Sequence, residues 1–350
     1  MHSPHLAHTP LPLHDWLAQA LAVQASDLHL RAGSTPQIRV AGALQALRPA
    51  VGLLTHEALL SLLAHLVPQP LNTRFLSGQE VDFAFALPNL GRFRVNAFMQ
   101  AHGCAAVMRL IPSTIPRLET LHAPLVLPQL LNQVGLLLVT GATGSGKSTT
   151  LAAMVQHLNM HTRQHVVTLE DPIEFVHHSA QCLITQREVG THSQSFTAAL
   201  RAALRQDPDV ILVGELRDQD TIRLALSAAE TGHLVLASLH TRNAPASIER
   251  MVDVFDGHEK ALVRTQLSDA LVGVLSQTLC PTPDGAAQCG VFEMLVATPA
   301  IRHLIREGKT SQILNAMQTG AAHGMQTMAQ AMEMAIAQQR IRPTPPALVA

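Results

Sequence analysis

Tyrosine is absent from this 350-residue sequence, tryptophan occurs once, and aromatic side chains together make up 3%. A nucleic-acid channel that stacks bases on rings has little to draw on here, and any core has to be aliphatic and Met-rich. Charge is scarce as well: charged residues are 14% of the chain, and 24 basic against 25 acidic residues leave a net charge of −1. This excludes a generally cationic nucleic-acid binder, though a local basic groove stays open. Four cysteines, Cys104, Cys182, Cys280 and Cys289, contain no CxxC pair. They make neither a disulfide framework nor a zinc ribbon, and they suggest a reducing, cytoplasmic compartment. No apolar run approaches the ~18 residues of a membrane span, and the first residues lack the pattern of a secretory signal. Membrane association is therefore expected to run through a partner.

What the chain has is length for two cores, 47% hydrophobic residues and 20 histidines. Over residues 1–112, helical spacing at Leu13–Val23 and His56–Val67 mixes with short alternating segments at 27–31, 37–40, 81–87, 93–99 and 105–110. That mixture predicts a small α+β domain with an antiparallel sheet. Prolines at 112, 116, 124 and 128 mark a linker over 113–128. From 129 to 342 the pattern is different. Apolar runs at Gly135–Thr140, His165–Leu169, Val210–Val213 and His233–Ala237 alternate with helical candidates at Ser148–Asn159, Phe196–Arg205 and Asp218–Glu230. This order predicts a largely parallel α/β sheet buried on both faces. From about Ala244 the chain reads as mostly helical, closing on a Pro-containing tail at 343–350.

Gly141-Ala-Thr-Gly-Ser-Gly-Lys147-Ser148 fits G-x-x-x-x-G-K-[ST] and falls between a buried strand and a helix. Gly141, Gly144 and Gly146 let the loop wrap tightly, so that backbone N–H groups from Thr143 and Ser145 through Thr149 can face phosphate oxygens at a helix N-terminus. Lys147 supplies charge to the β- and γ-phosphates of ATP, and the Ser148 hydroxyl is placed to ligate Mg²⁺. Acids are expected at the carboxyl ends of neighbouring strands, where ligands of open α/β sheets lie. Glu174 follows the second strand and Glu215 the third. One acid can organise Mg²⁺ through water, as expected of Glu215, while the other orients an attacking water. His233 and His240 frame the fourth strand at opposite ends. They cannot share a metal, and His240, at the carboxyl end, is the better candidate to sense a γ-phosphate.

These motifs together resemble the secretion and type IV pilus motor ATPases, and within them the PilT-type retraction (twitching-motility) branch. Ala25–Leu30 and Gly91–Phe98 are similar to that family's PAS-like N-terminal domain. Gly141–Ser148, Thr168–Phe175, Arg205–Asp218 and Ala229–Thr241 are similar to the Walker A, aspartate, Walker B and histidine boxes of its RecA-like P-loop domain. Ala300–Glu307 resembles a segment associated with retraction ATPases, with His303 where Asn is usual, and is followed by Gln318–Gly320 and Gly324–Thr327. The resemblance implies Mg²⁺-dependent ATP hydrolysis, with Glu174 as catalytic acid, Glu215 as Walker B acid and His233 with His240 as the histidine pair. It makes Arg94 and Arg109, and less so Arg92, the arginines that approach the γ-phosphate. It further implies a cytoplasmic homohexamer that works on an inner-membrane pilus platform protein, with a paralogous retraction ATPase as a possible partner. Cys280 and Cys289 stand where extension-type relatives carry a zinc cluster, and two cysteines cannot complete that tetrahedron.

Three other readings are distinguishable. An accessory PilU-like retraction ATPase or another type II/IV secretion ATPase shares every motif above. A RecA-like nucleic-acid motor would need basic and aromatic residues that this chain lacks, so no nucleic acid is expected. A non-hydrolysing nucleotide scaffold would not need the complete set of acids.

Overall fold

The protein is described here by a computed structural model that covers residues 11–40, 42–48, 52–111, 114–285 and 287–343. The histidines at positions 2, 5 and 8, the start of the expected linker and the tail beyond 343 lie outside the described residues. The chain divides into two compact units. One is Met1–Thr114 with Asp171–Val176 and Glu188–Gln194; the other is Ile115–Glu170, His177–Arg187 and Ser195–Ala350.

The first unit runs α1 (Leu11–Ala22), β1 (Asp27–Arg31), β2 (Gln37–Val40), β3 (Ala43–Ala46), α2 (His56–Leu66), α3 (Gln69–Leu76), β4 (Val81–Leu87), β5 (Gly91–Gln100) and β6 (Gly103–Ile111). Its strands form an antiparallel sheet in the order β3-β2-β1-β6-β5-β4. Alternation sets the two faces. On β4, Val81, Phe83, Phe85 and Leu87 are buried while Asp82 and Ala86 are exposed. The buried face joins Leu13 and Leu17 of α1, Leu59 and Leu63 of α2 and Phe75 of α3 in one cluster. The few aromatics of the chain are concentrated here, with Phe85 and Phe93 stacked at 5.4 Å between ring centroids. Register also places Arg94 of β5 directly opposite Arg109 of β6, and Arg109 opposite Asp27 of β1.

The second unit runs α4 (Leu127–Leu130), β7 (Gly135–Thr140), α5 (Lys147–His161), β8 (His165–Glu170), β9 (Leu183–Glu188), α6 (Phe196–Ala203), β10 (Val210–Val213), α7 (Gln219–Glu230), β11 (Leu234–Leu239), α8 (Ala244–Asp253), α9 (Lys260–Ala270), β12 (Leu271–Pro281), β13 (Gln288–Val296), α10 (Pro299–Arg306), α11 (Ile313–Thr319) and α12 (Met328–Ala337). The sheet order is β13-β12-β7-β11-β10-β8-β9, and β12, β7, β11, β10 and β8 are mutually parallel. Every residue of β7, β10 and β11 is buried, which is why these strands read as unbroken apolar runs. Because the four strands β7, β8, β10 and β11 run the same way, the loops after them gather on one edge of the sheet.

One expectation is incomplete here. The region after Ala244 is mostly helical, with α8 to α12, but it also holds β12 and β13, and β12 pairs with β7 next to the phosphate loop. Helix α9 passes into β12 at Ala270–Leu271 without a turn residue, and a short apolar run such as Leu271–Leu275 has no period that separates strand from buried helix.

Gly135 shows how tightly the sheet is closed at this point. Its φ is +133°, and a Cβ there would collide with the carbonyl of Ala270 and approach Val272. Gly135→Val is therefore expected to lower the stability of the second unit by roughly 2–4 kcal/mol, from backbone strain and overpacking combined. Chemical denaturation followed by circular dichroism measures this, and a loss below about 0.5 kcal/mol contradicts the packing described.

Candidate active site

The loop between β7 and α5 has the conformation its glycines permit. Gly141, Gly144 and Gly146 have φ of 150°, 79° and 89°, values that L side chains rarely adopt. At Gly141 a Cβ would strike the carbonyl of Gln277, so no side chain fits. Gly146 is the N-cap of α5 and carries no side-chain cap. The leading N–H groups of this helix, those of Lys147, Ser148 and Thr149, thus lack an intrahelical acceptor and present the positive end of the helix dipole. Gln277 on β12 braces the loop by donating Nε2–H to the Ser145 carbonyl at 2.6 Å.

Lys147 is buried, and its ammonium donates to the carbonyls of Gly141 (2.8 Å) and Ala142 (2.9 Å). Nδ1 of His240, just past β11, lies 3.5 Å from this ammonium and 3.3 Å from the Thr143 hydroxyl. Nε2 of the same ring lies 3.2 Å from Glu215 Oε1. In the neutral ring these partners favour one tautomer, with Nε2–H facing the carboxylate and Nδ1 turned to the lysine and threonine side. The other oxygen of Glu215 pairs with Arg217 at 2.8 Å. The turn that carries Glu215 is held from both flanks, by Gly214 N–H donating to Leu169 O (2.8 Å) and Leu216 N–H donating to Ser238 O (3.0 Å). Lys147, His240 and Glu215 thus form one hydrogen-bonded chain across the carboxyl ends of β7, β11 and β10.

Other expected residues lie away from this hydrogen-bonded chain. His233 is at the opposite end of β11 from His240, as its position in the sequence implies. It precedes β11 at the amino end, where Nδ1 is 2.9 Å from the Ala228 carbonyl at the end of α7. Because β11 runs parallel to β7, a residue at its amino end cannot reach the phosphate loop of its own unit. Glu174 belongs to the first unit, where Arg94 pairs with it at 2.9 Å and Arg92 donates to the neighbouring Ile173 carbonyl at 3.0 Å. Arg109 donates Nε–H to Asp27 at 2.8 Å, and Ser26 donates to the other oxygen of that carboxylate at 2.7 Å. Like charges directly opposite on a sheet are unfavourable, and Asp27 and Glu174 offset that repulsion between Arg94 and Arg109. Burial opposes the charge of Asp27, yet the Ser26 and Arg109 hydrogen bonds outweigh it and hold the carboxyl below its usual range.

Beside the loop lies a cavity of about 530 Å³, lined by Gly146, Thr149, Gln277, Leu279, Gln288 and Arg340 among others. Its size suits a nucleoside. Gln277 and Arg340 escaped sequence reading because they come to the loop through β12 and the chain's last described turn, both nonlocal; no local signal marks them. As for Mg²⁺, Ser148 offers an exposed hydroxyl at the start of α5 and Glu215 a half-buried carboxylate. Two hard oxygen donors fit an ion that keeps several waters and takes its other ligands from substrate phosphates. Among the described residues, no group of three or more His, Cys, Asp or Glu is arranged to hold a metal by itself.

A glycine loop on a RecA-like parallel sheet, with a buried lysine, a histidine and a strand-end glutamate in hydrogen-bonded sequence, defines a P-loop ATPase. The chain belongs to the type II/IV secretion system protein family, whose profile matches residues 8–342, and within it to the PilT-type pilus ATPases. It is 54% identical over 265 residues to a twitching motility protein of Neisseria gonorrhoeae, covering 75% of this chain and 71% of that one. It is 50% identical over 305 residues to the type IV pilus retraction ATPase PilT of Pseudomonas aeruginosa, covering 87% and 88%. Among solved structures, the pilus retraction motor PilT with bound ADP superposes with a TM-score of 0.86 at 38% identity, over 97% of this chain and 98% of that one.

The Glu215 carboxyl has a testable titration. Burial works against its charge, but the hydrogen bond and charge of Arg217, and then His240, outweigh it and hold the carboxyl below its ordinary value of 4.5. A depressed folded value means a stabilisation fully present above the unfolded carboxylate's titration and lost as pH falls through the folded one. The stability gap between wild type and Glu215→Gln is therefore expected to be constant well above the ordinary carboxylate value of 4.5 and to close progressively as pH falls below it. Denaturant midpoints measured against pH check this; a gap that widens on acidification contradicts the assignment.

Proposed function

We propose that this protein hydrolyses ATP with Mg²⁺ to retract a type IV pilus and so power twitching motility, acting as a homohexamer on an inner-membrane platform protein. The observation that carries the reading is the Lys147–His240–Glu215 chain beside the glycine loop, together with the similarity to a retraction ATPase and a twitching motility protein along most of their length.

In this reading the loop N–H groups and Lys147 take the β- and γ-phosphate oxygens, and the base and ribose enter the cavity lined by Thr149, Gln277 and Arg340. Ser148 and Glu215 would hold Mg²⁺, which would supply neutralisation of the charge developing on the phosphates. His240 relays between the loop and Glu215: its Nε2–H keeps the acid ionised, and its Nδ1 faces the end of the lysine that meets the γ-phosphate. Glu174 is the acid that orients the attacking water, and Arg94 and Arg109 supply positive charge to the transition state. Glu174 and Arg94 are bound to each other on one unit, so a movement of that unit carries both together. This supports a motor in which phosphate chemistry and domain motion are one event. His233, on the opposite end of β11, is left for a contact with a neighbouring copy. No membrane-crossing helix is present among the described residues, which leaves the platform to be reached as a peripheral partner.

The test is made in cells. A strain lacking the gene is expected to keep surface pili and lose twitching; wild-type protein restores twitching, and Lys147→Ala does not. An accessory paralogue would leave twitching partly intact after deletion. Loss of pili themselves, or restoration by Lys147→Ala, contradicts a retraction motor.

A further inference from the structure

We propose that Glu293 is a positioning residue for the phosphate loop, closing a buried polar row that joins the end of β7 to the amino-terminal N–H groups of α8 and α12. The row is set by register. Thr140, the last residue of β7, lies opposite Ser276 of β12, and Ser276 lies opposite Glu293 of β13. All three are buried, at 0%, 0% and 3% exposure. Thr140 Oγ1 donates to Ser276 Oγ at 2.9 Å, and Ser276 stands directly across the β12–β13 pair from Glu293. Glu293 Oε1 accepts the Ala244 N–H at 2.7 Å, and Oε2 accepts the Met328 N–H at 3.2 Å.

Each end of the row bears on the site. Thr140 immediately precedes Gly141, whose carbonyl accepts from Lys147. Ala244 opens α8 just after its N-cap Asn243, four residues beyond His240. Glu293 thus ties together the two backbone segments that present the lysine and the histidine to one another. The same residue anchors α12, whose start is already strapped to β13 by Met294 N–H donating to Gln326 O (2.8 Å) and Gln326 N–H donating to Met294 O (3.0 Å).

The chemistry requires a carboxylate. Two helix N-termini offer two N–H donors, and only a group with two acceptor oxygens satisfies both; an amide has one, and its NH₂ would face an N–H. Burial pushes the Glu293 carboxyl up, while the helix N–H groups of Ala244 and Met328 and the Ser276 hydroxyl pull it back. A residue kept at such a desolvation cost holds its neighbours in one arrangement, and a small misplacement of reacting groups can cost about a hundredfold in rate.

This inference rests on the reading of the glycine loop as the ATP site, so the experiment separates the two. Phosphate release and ADP affinity are measured on the full chain for wild type, Glu293→Gln, Glu293→Asp, Ser276→Ala and Lys147→Ala, below each variant's melting temperature. Expected for Glu293→Gln is a kcat at least ~10-fold lower with KM and ADP affinity within ~3-fold, since the loop still binds but presents its groups off line. Glu293→Asp should recover part of the loss. Ser276→Ala should lower kcat too, and its combination with Glu293→Gln should be no worse than Glu293→Gln alone. If Glu293→Gln does not fold, Ser276→Ala decides, because it leaves both helix acceptors in place. Wild-type kcat in a folded Glu293→Gln or Ser276→Ala beside an inactive Lys147→Ala overturns the row alone. Full turnover by Lys147→Ala overturns the loop reading itself.

Discussion

An ammonium group held inside the protein is the constraint on which the second unit depends. Burying the Lys147 charge is costly unless polar groups surround it, and here the acceptors are the carbonyls of its own loop and a ring nitrogen of His240. Those carbonyls exist at that spot only because Gly141 and Gly146 adopt backbone angles closed to other residues, and the neutral histidine turns Nδ1 to the lysine because Glu215 takes its opposite N–H. Loop conformation, tautomer and carboxylate charge are therefore set together. A change to any one shifts the other two.

The sheet makes this possible at low cost. Parallel strands buried on both faces need only aliphatic side chains, which explains a composition almost without rings, and the strands deliver three polar residues to one edge with little freedom left. The first unit solves a different problem. Its antiparallel sheet buries one face with helices and phenylalanines and uses the other to hold two arginines opposite each other, each tied to its own carboxylate. A chain with so few charges spends several of them in that small area.

Legibility in the sequence follows the same physics. Strands β7, β8, β10 and β11 and helices α5 and α7 are readable because the first are largely continuous apolar runs and the second begin at recognisable signals such as the Asp218 cap. Strand β3, with all four residues exposed, carries no pattern to read, and β12 hides behind a helix that ends without a turn. That omission had consequences for the site: Gln277, Ser276 and Glu293 act through pairing across β7, β12 and β13, and nothing in their immediate neighbours announces it. Glu215 and His240 lie just past β10 and β11, at the strand ends where ligands of such sheets lie. His233 and His240 lie at opposite ends of β11, as the strand's bounds in the sequence already imply. The pairing of Arg94 with Glu174, eighty positions apart, depends on how the chain returns to the first unit after β8.

The central claim is that the chain from Lys147 through His240 to Glu215 works as one catalytic unit. The most direct measurement is steady-state ATP turnover by purified wild type and His240→Ala with Mg²⁺, alongside nucleotide affinity. The account predicts a kcat lower by about a hundredfold or more with affinity changed only a few-fold, as for loss of a group acting in the transition state. Turnover within a few-fold of wild type would contradict it.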